Sequence, residues 1–319
     1  MASTDQGLVP LYTAQYSTNL DLLLQQKGSK LRGFVDTGSH VGKMASPIQQ
    51  IAPITAKQPA GRFAPKDNTQ STFVRRWVFP QEIDVNQLLD SFDQLQTIVD
   101  PKSGYTQNAA NAIGRAYDDA LLLATTAAST TGVDAGNLGT EAFGTGATNY
   151  TTDAAMGYII QDSFGASGAT GLTVAKLIEL KRAYRKFHND LDTEGAVIII
   201  GSRQEADLLS QQQIVSKDYN DAPVLKDGSI KRFLGFDIVV MERVPESTVG
   251  TTRGCISFVK SGMYLGMWKD MTNNVSQRLD LSSEPWQLYT QAMYGATRTQ
   301  LGKVFQINCA DTTGADLNP

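Results

Sequence analysis

Hydrophobic and polar positions alternate as in a β-strand along residues 71–79, whereas residues 1–44 are polar and show no strong period. Residues 45–80 predict a long hairpin, because the segment 59–68 between its limbs is rich in proline, glycine, aspartate and asparagine. Phe73, Trp77 and Phe79 share one face of the second limb. A two-stranded hairpin is only marginally stable in water. We therefore expect this hairpin and the polar arm before it to bury their apolar side chains against another part of an assembly.

Helical spacing of apolar residues takes over at four later places. The predicted helices are residues 84–99 with Asp84 as N-cap, 106–127, 173–188 with Thr173 as N-cap, and a helix opened by a capping box of Ser202 and Glu205. The third helix has a basic side that includes Lys176. We expect this side to face solvent, with an acidic surface of a neighbouring subunit as the alternative. The alanine-rich second helix favours close packing against a neighbouring element.

Strand signals dominate the rest of the chain. Residues 196–200 predict a buried strand, and Asp227-Gly228 is a hairpin signal before strands at 233–241. Further strands are predicted at 255–259, 263–268, 286–294 and 303–309. Residues 124–171 are rich in glycine, alanine, threonine and serine, and we expect loops there, with short strands near Tyr150 and at 159–160. Helices and strands mix without βαβ alternation, which is typical of the α+β class.

Composition narrows the class of protein. The chain has 319 residues, of which 41% are hydrophobic and 19% charged, so it is expected to fold into a globular body. Its formal net charge of -4 argues against a dedicated nucleic-acid binder. No apolar run approaches the ~20 residues of a membrane span, and the first twenty residues lack a secretory pattern. Synthesis is therefore expected in the cytoplasm.

Residues that could carry chemistry are few. Two cysteines, Cys255 and Cys309, are too few for a disulfide framework, and two histidines, His40 and His188, do not cluster as metal ligands do. Gly201 after the buried strand stands alone, whereas a nucleotide-binding loop needs several glycines. Asp118 and Asp119 diverge by about 100° on a helix and are expected to be solvated. The sequence predicts no enzyme, no cofactor and no metal.

Basic and aromatic residues of the hairpin are the better candidates for function. Their pattern fits no nucleic-acid-binding module, and we expect them to form salt bridges with an acidic surface of a neighbouring subunit, such as one around Asp118 and Asp119. The candidate interface residues are Arg62, Phe63, Lys66, Arg75, Arg76 and Trp77.

Four motifs in the second half of the chain resemble tailed-bacteriophage major capsid proteins of the Hong Kong 97-like fold. They are KDGSI at 226–230, FLGFDIVV at 233–240 with a following RVP, GMYLGMWKD at 262–270, and YGATRT at 294–299 followed by KVFQINC. The order of elements resembles that family over nearly the whole chain. An α+β fold with an arm, an extended loop, a spine helix and an axial domain is implied.

The resemblance also implies a division of the chain. Residues 1–44 would be the N-terminal arm, 45–80 the extended loop over an adjacent subunit, 81–135 the peripheral domain with its spine helix, 136–267 the axial domain, and 268–319 the return to the peripheral domain. The chain lacks a long segment before the arm, so a separate scaffolding protein is expected. A lysine–asparagine crosslinking pair is not identifiable.

The implied function is self-assembly into hexamers and pentamers of an icosahedral virion shell that encloses double-stranded DNA without binding it specifically. The implied partners are further copies of the chain, a scaffolding protein, a portal and a cement or decoration protein, with no membrane. Two alternatives stay open at this point. They are an encapsulin-type nanocompartment shell, which shares the fold but packages a cargo enzyme, and, more remotely, an α+β enzyme.

Overall fold

The computed structural model of the protein describes residues 24–58, 61–62, 68, 70–89, 102–143, 158–211, 230–248, 252–282 and 284–311. The chain divides into two compact units. The smaller unit is formed by Met1–Gly28, Ile83–Arg115 and Met271–Ala292, and the larger by Ser29–Glu82, Ala116–Asp270 and Met293–Pro319.

Helices and strands alternate irregularly along the described residues, as the α+β prediction requires. The helices are α1 (Lys102–Thr126), α2 (Val174–Lys186), α3 (Leu191–Glu194) and α4 (Ser202–Leu209). The strands are β1 (Asp36–Ser39), β2 (Ala45–Ile51), β3 (Phe73–Val78), β4 (Gln81–Leu89), β5 (Ser129–Gly132), β6 (Gly139–Glu141), β7 (Ile159–Ile160), β8 (Ala196–Ile200), β9 (Arg232–Phe233), β10 (Phe236–Val240), β11 (Glu246–Thr248), β12 (Thr252–Val259), β13 (Met263–Gln277), β14 (Trp286–Arg298) and β15 (Val304–Ala310). Their sheet orders are β7-β15-β12-β8-β10-β9 with β11 beside β12, β2-β3-β5-β6, and β1-β13-β14-β4.

The core of the larger unit is built around β8. This strand pairs in parallel with β10 and antiparallel with β12, and all five of its residues are buried. A strand covered on both faces needs an uninterrupted apolar run, which AVIII supplies. Leu177, Leu180 and Tyr184 of α2 belong to the same buried cluster. The predicted buried strand and the helix with Thr173 as its N-cap are both confirmed, and the Thr173 side chain accepts from the Lys176 amide.

Lys176 differs from the expectation of a solvated basic side. Its side chain is fully buried, and Nζ donates to the backbone oxygens of Thr170, Gly171 and Asn308 at 2.9, 2.8 and 3.2 Å. Burial lowers the pKa of this ammonium group. Three carbonyl oxygens converge here because the loop before α2 and β15 approach its first turn, which helical periodicity cannot reveal. Lys176 therefore ties that loop to the sheet.

The start of α4 also differs from the prediction. Gly201 is the N-cap and offers no side-chain cap, so Ser202 and Glu205 do not form the expected capping box. Glu242 instead accepts from the Ser202 amide at 2.7 Å. Hydrogen bonds from the side chain and the backbone of Ser202 lower the pKa of the Glu242 carboxyl. The carboxylate satisfies a free amide at the helix N-terminus, where negative charge is favoured. A partner forty positions away replaced the local one.

The hairpin that leads into β10 turns at Leu234 and Gly235. Both residues have positive φ, 52° and 93°, which is the left-handed backbone conformation. Phe233 pairs with Phe236, so these two residues form a two-residue hairpin turn. The strands predicted around 233–241 are confirmed, whereas Asp227-Gly228 lies outside the described residues.

The predicted helix 84–99 is wrong where the structure describes it. Residues Gln81–Leu89 form β4, whose odd-numbered positions from Ile83 onwards are half-buried and whose even-numbered positions are exposed. Val85, Leu88 and Leu89 fit a helical stripe, but Ile83, Val85 and Leu89 also fit the alternation of a strand. Pairing with the neighbouring strand β14 selects the strand. Residues 90–99 lie outside the described part. The second predicted helix, 106–127, is confirmed as α1, which begins four residues earlier, at Lys102.

Candidate assembly surface: the hairpin and its base

The predicted hairpin is confirmed for the strands that the structure describes. β2 and β3 pair antiparallel with Ile51 opposite Phe73 and Gln49 opposite Arg75, and the Ala52 amide donates to the Thr72 carbonyl at 2.8 Å. We call β2, β3 and the residues between them the hairpin. Alternation of side chains along each strand gives the hairpin two faces. Its strand order places β2 at one edge of the sheet β2-β3-β5-β6.

The outer part of the hairpin exposes large apolar side chains. Ile51, Ile54 and Phe73 are 63%, 62% and 54% exposed, and Ile51 and Phe73 are register partners. We call these three residues the outer apolar surface. Burying apolar surface contributes a free energy of about 25 cal/mol per Å², and this contribution is absent while the three side chains are exposed. A group of exposed large apolar side chains such as this one is typical of a contact with another molecule.

The inner part of the hairpin is buried in its own subunit. Ala45, Trp77 and Val78 are buried, and the Trp77 indole donates to the Gly132 carbonyl at 3.2 Å. A Cβ on Gly295 would lie 2.3 Å from the Phe79 carbonyl oxygen, so β14 lies directly against this region. The expectation that the hairpin cannot bury its apolar side chains within its own subunit therefore holds only for its outer part.

A buried charge centre lies at the hairpin base. The Arg76 side chain is 6% exposed, pairs with Glu141 at 2.5 Å and donates to Ser129 Oγ at 3.0 Å. Arg298, fully buried, donates to the carbonyls of Thr125, Ala127 and Glu141 at 2.7, 3.1 and 3.1 Å. Burial lowers the pKa of Arg298 to about 10. We call Arg76, Glu141 and Arg298 the base triad.

The N-terminal arm is also tied to its own subunit over part of its length. Asp118, fully buried, accepts from Ser29 Oγ at 2.5 Å and from the amides of Lys30 and Leu31 at 2.9 and 3.1 Å. Leu31 is fully buried. The expectation that Asp118 is solvated is wrong, because the arm supplies the donors that compensate its burial.

Beyond this anchor the arm forms β1, which pairs in parallel with β13 from Asp36↔Tyr264 to Ser39↔Met267. His40 is half-buried, and its Nε2 lies 2.6 Å from the Tyr264 hydroxyl. The arm is therefore less independent of the subunit body than its composition indicates.

Asp119 and Arg243 form an exposed ion pair, with Arg243 Nε donating to Asp119 Oδ1 at 2.6 Å. The acidic surface expected to receive hairpin arginines of a neighbouring subunit is thus engaged within the chain at both Asp118 and Asp119.

Sequence-predicted interface residues fall into three groups. Arg62 is exposed, Arg75 is half-buried and forms no ion pair with a described residue, and Phe63 and Lys66 lie outside the described residues. Arg76 and Trp77 are buried with partners in their own subunit, so the salt bridge expected from Arg76 to another subunit is replaced by the one to Glu141. The reason is proximity: Ser129 and Glu141 are cross-strand partners beside β3.

Residues that sequence reasoning missed include Glu141, Arg298 and Asp118. Arg298 lies in the motif YGATRT just after the predicted strand 286–294, and an arginine there has to be compensated if the strand continues into the core. Glu141 lies in the glycine-rich stretch and carried no such signal.

Other chemistry is limited in the part of the chain that the structure describes. Within it, no group of three His, Cys, Asp or Glu side chains could hold a metal ion. None of the described helices is both long enough and apolar enough to cross a membrane. Cys255 and Cys309 are buried as free thiols with their sulfur atoms 3.9 Å apart. The hydrogen bond between the two thiols, together with burial, raises the pKa of Cys255.

Comparison with known proteins gives a consistent result. A search of curated proteins gives no significant match. Solved structures with the same fold include the capsid of cyanophage P-SCSP1u, with a TM-score of 0.73, 12% identity and coverage of 97% of this chain and 96% of that one. The capsid of a native GTA particle has a TM-score of 0.68, 13% identity and coverage of 97% and 99%. The capsid of Ralstonia phage GP4 has a TM-score of 0.62, 10% identity and coverage of 100% of both chains.

These structures establish the fold, and the family match extends over the same length of sequence. The family described as phage capsid protein matches residues 9–311, which is nearly the whole chain. The expected Hong Kong 97-like resemblance is confirmed at the level of the family, and the protein belongs to the phage capsid protein family.

Proposed function

We propose that the protein is the major capsid protein of a tailed bacteriophage and that it assembles into hexamers and pentamers that close an icosahedral shell around double-stranded DNA. The family match over residues 9–311 carries this proposal. A closed shell built from one chain needs a surface that serves several quasi-equivalent contacts. A ribbon with a fixed base and an exposed apolar end meets that need, because its end adapts while the body stays rigid.

The outer apolar surface is the contact that we assign to a neighbouring subunit. Ile51, Ile54 and Phe73 are exposed in the isolated subunit, and the exposed Arg62 adds a positive charge toward the tip of the same segment. Burying three such side chains contributes about 1.5–3 kcal/mol each at most, which repeated over every subunit of a shell is a large assembly energy. Arg75, next to this surface along β3, is a rim residue of the same contact.

Further partners follow from the same proposal. A scaffolding protein and a portal are the partners that we propose for assembly, and a decoration protein is the partner that we propose for the finished surface. The formal net charge of -4 supports enclosure of DNA without a specific binding site. Synthesis takes place in the host cytoplasm, and the mature protein is a virion component.

Negative-stain microscopy of the expressed protein, alone and with the products of neighbouring genes, tests the proposal. The wild-type chain is expected to form closed shells. Ile54→Asp, which places a charge on the outer apolar surface, is expected to leave soluble subunits or capsomers and no shells. Ile54→Val keeps the apolar surface and is the matched control. A wild-type chain that stays a monodisperse monomer under all these conditions contradicts the proposal.

A further inference from the structure

The base triad links the hairpin to the body of the larger unit. Arg76 lies on β3, and its guanidinium reaches Ser129 on β5 and Glu141 on β6. Because Ser129 and Glu141 are cross-strand partners, one side chain spans three strands of the sheet that carries the hairpin. The register of β3 on β5, with Arg76 opposite Thr131, is the junction that the guanidinium crosses.

Arg298 continues the link to another element. It lies at the end of β14 and donates to the Glu141 carbonyl with Nη2, while Nη1 donates to the Thr125 and Ala127 carbonyls at the end of α1. Carbonyls at a helix C-terminus lack partners within the helix and carry partial negative charge, so a cation there is favoured. The Phe143 ring lies 5.2 Å from the Arg298 guanidinium carbon. Arg76 thus joins strands β3, β5 and β6, and Arg298 joins β6 to β14 and to the C-terminus of α1.

Stability alone does not account for two buried arginines beside one carboxylate. Among the described residues, the buried Nε atoms of Arg76 and Arg298 have no hydrogen-bond partner, and Glu141 Oε2 meets Arg76 Nη1 at 2.5 Å as an ion pair without hydrogen-bond geometry. Burying charge costs several kcal/mol per ion before its partners are counted, and well-packed apolar residues of similar volume are often as stable or more so. What charged groups add is directional specificity, because each accepts only a narrow range of partner positions.

We propose that Arg76, Glu141 and Arg298 are positioning residues that fix the direction in which the hairpin leaves its subunit, and thereby determine whether subunits close into a regular shell. This inference rests on the proposed function. Arg76 and Arg298 are buried in their own subunit, so we assign them no direct part in the contact between subunits. It acts by holding the base, while the outer apolar surface makes the contact.

The test compares Glu141→Gln and Arg76→Gln with Arg76→Lys, which keeps the positive charge, and with Asp134→Asn. Asp134 is an exposed carboxylate in the turn between β5 and β6 and serves as the matched control. Hydrogen exchange is measured on subunits and capsomers separated from shells by size exclusion. Loss of a buried charge partner is expected to speed exchange of the β3 amides about tenfold or more in both glutamine variants. Asp134→Asn is expected to match the wild type.

Shells formed by the same variants are then counted by electron microscopy. Glu141→Gln and Arg76→Gln are expected to give mostly open or irregular particles, with Arg76→Lys restoring a larger share of closed shells. Unchanged β3 exchange overturns the inference, and so does fast exchange with a normal yield of closed shells. Equal losses with lysine and glutamine at position 76 also overturn it. A wild-type chain that forms no shells counts against the proposed function, whereas the exchange result on isolated subunits is read independently.

Discussion

Two neighbouring aspartates on α1 provide the sharpest test of the structure. Asp118 is fully buried and accepts three hydrogen bonds from Ser29, Lys30 and Leu31, whereas Asp119 pairs with Arg243 at the surface. The perturbation is Asp118→Asn, with Asp119→Asn as the matched control. Both changes remove one charge and keep the side-chain shape, so any difference between them reports the environment of each group.

The expected magnitudes follow from the partners. A hydrogen bond to a charged group contributes about 1.5–3 kcal/mol, and an amide offers one acceptor oxygen where the carboxylate offers two. Asp118→Asn therefore turns an amide NH₂ toward a backbone N–H, and we expect it to lower the free energy of unfolding by about 2–4 kcal/mol. The Asp119–Arg243 pair is solvent-exposed, with side chains 46% and 39% exposed, so screening limits the cost of Asp119→Asn to about 0.2–1 kcal/mol.

Urea unfolding of unassembled subunits measures both values, and hydrogen exchange locates the change. Asp118→Asn is expected to expose the amides of Lys30 and Leu31 to rapid exchange while the β8 amides stay protected. Equal destabilisation by the two variants would refute the claim that Asp118 anchors the arm. So would protected Lys30 and Leu31 amides in Asp118→Asn.

Three further predictions concern the larger unit. The buried Tyr117 hydroxyl has no hydrogen-bond partner in the part of the chain that the structure describes, and burial is the largest cause that raises its pKa to about 12. The folded state therefore keeps a proton that the unfolded state loses, so stability present below the ordinary tyrosine pKa of 10.0 is lost as pH rises from about 10 to 12. Tyr117→Phe should reduce this loss in urea titrations at pH 8 and pH 11, and should cost less than about 1 kcal/mol at pH 8; an unchanged pH dependence would contradict the assignment. Lys176→Met leaves three carbonyl oxygens without their shared donor and is expected to lower the urea midpoint by the equivalent of about 1–3 kcal/mol, whereas an unchanged or raised midpoint would show that burying the ammonium costs as much as its bonds return. Gly295→Ala places a Cβ 2.3 Å from the Phe79 carbonyl oxygen, and we expect a loss of about 1–3 kcal/mol or more, seen as a lower thermal midpoint; a wild-type midpoint would mean that β14 does not lie against the hairpin base.

Local sequence patterns correctly predicted the helices and strands whose formation depends mainly on their own residues. The apolar run at 196–200, the alanine-rich helix that became α1, and Thr173 as the cap of α2 were all readable, because each depends on neighbours within a few positions. The hairpin was readable for the same reason, since its turn formers and alternation lie in one segment.

Errors arose where a distant partner decided the outcome. Residues 84–89 fit both a helical stripe and an alternating strand, and the neighbouring strand β14 selected the strand. Ser202 and Glu205 match a capping box in sequence, but the Ser202 amide donates to the distant Glu242 carboxylate instead. Lys176 was predicted to lie on a solvated face because helical periodicity shows on which side of the helix a residue lies. It does not show which other segments pack against that side.

The sequence by itself determined the class of fold, the family and the existence of the hairpin, because these depend on periodicity, turn residues and ordered motifs. Only the tertiary structure decided which charged residues of that segment face outward. Arg76 and Arg75 are adjacent and identical in type, but β5 and β6 bring Ser129 and Glu141 to one of them alone. Burial of a charge is a property of the surrounding side chains, and those come from segments far apart in the chain.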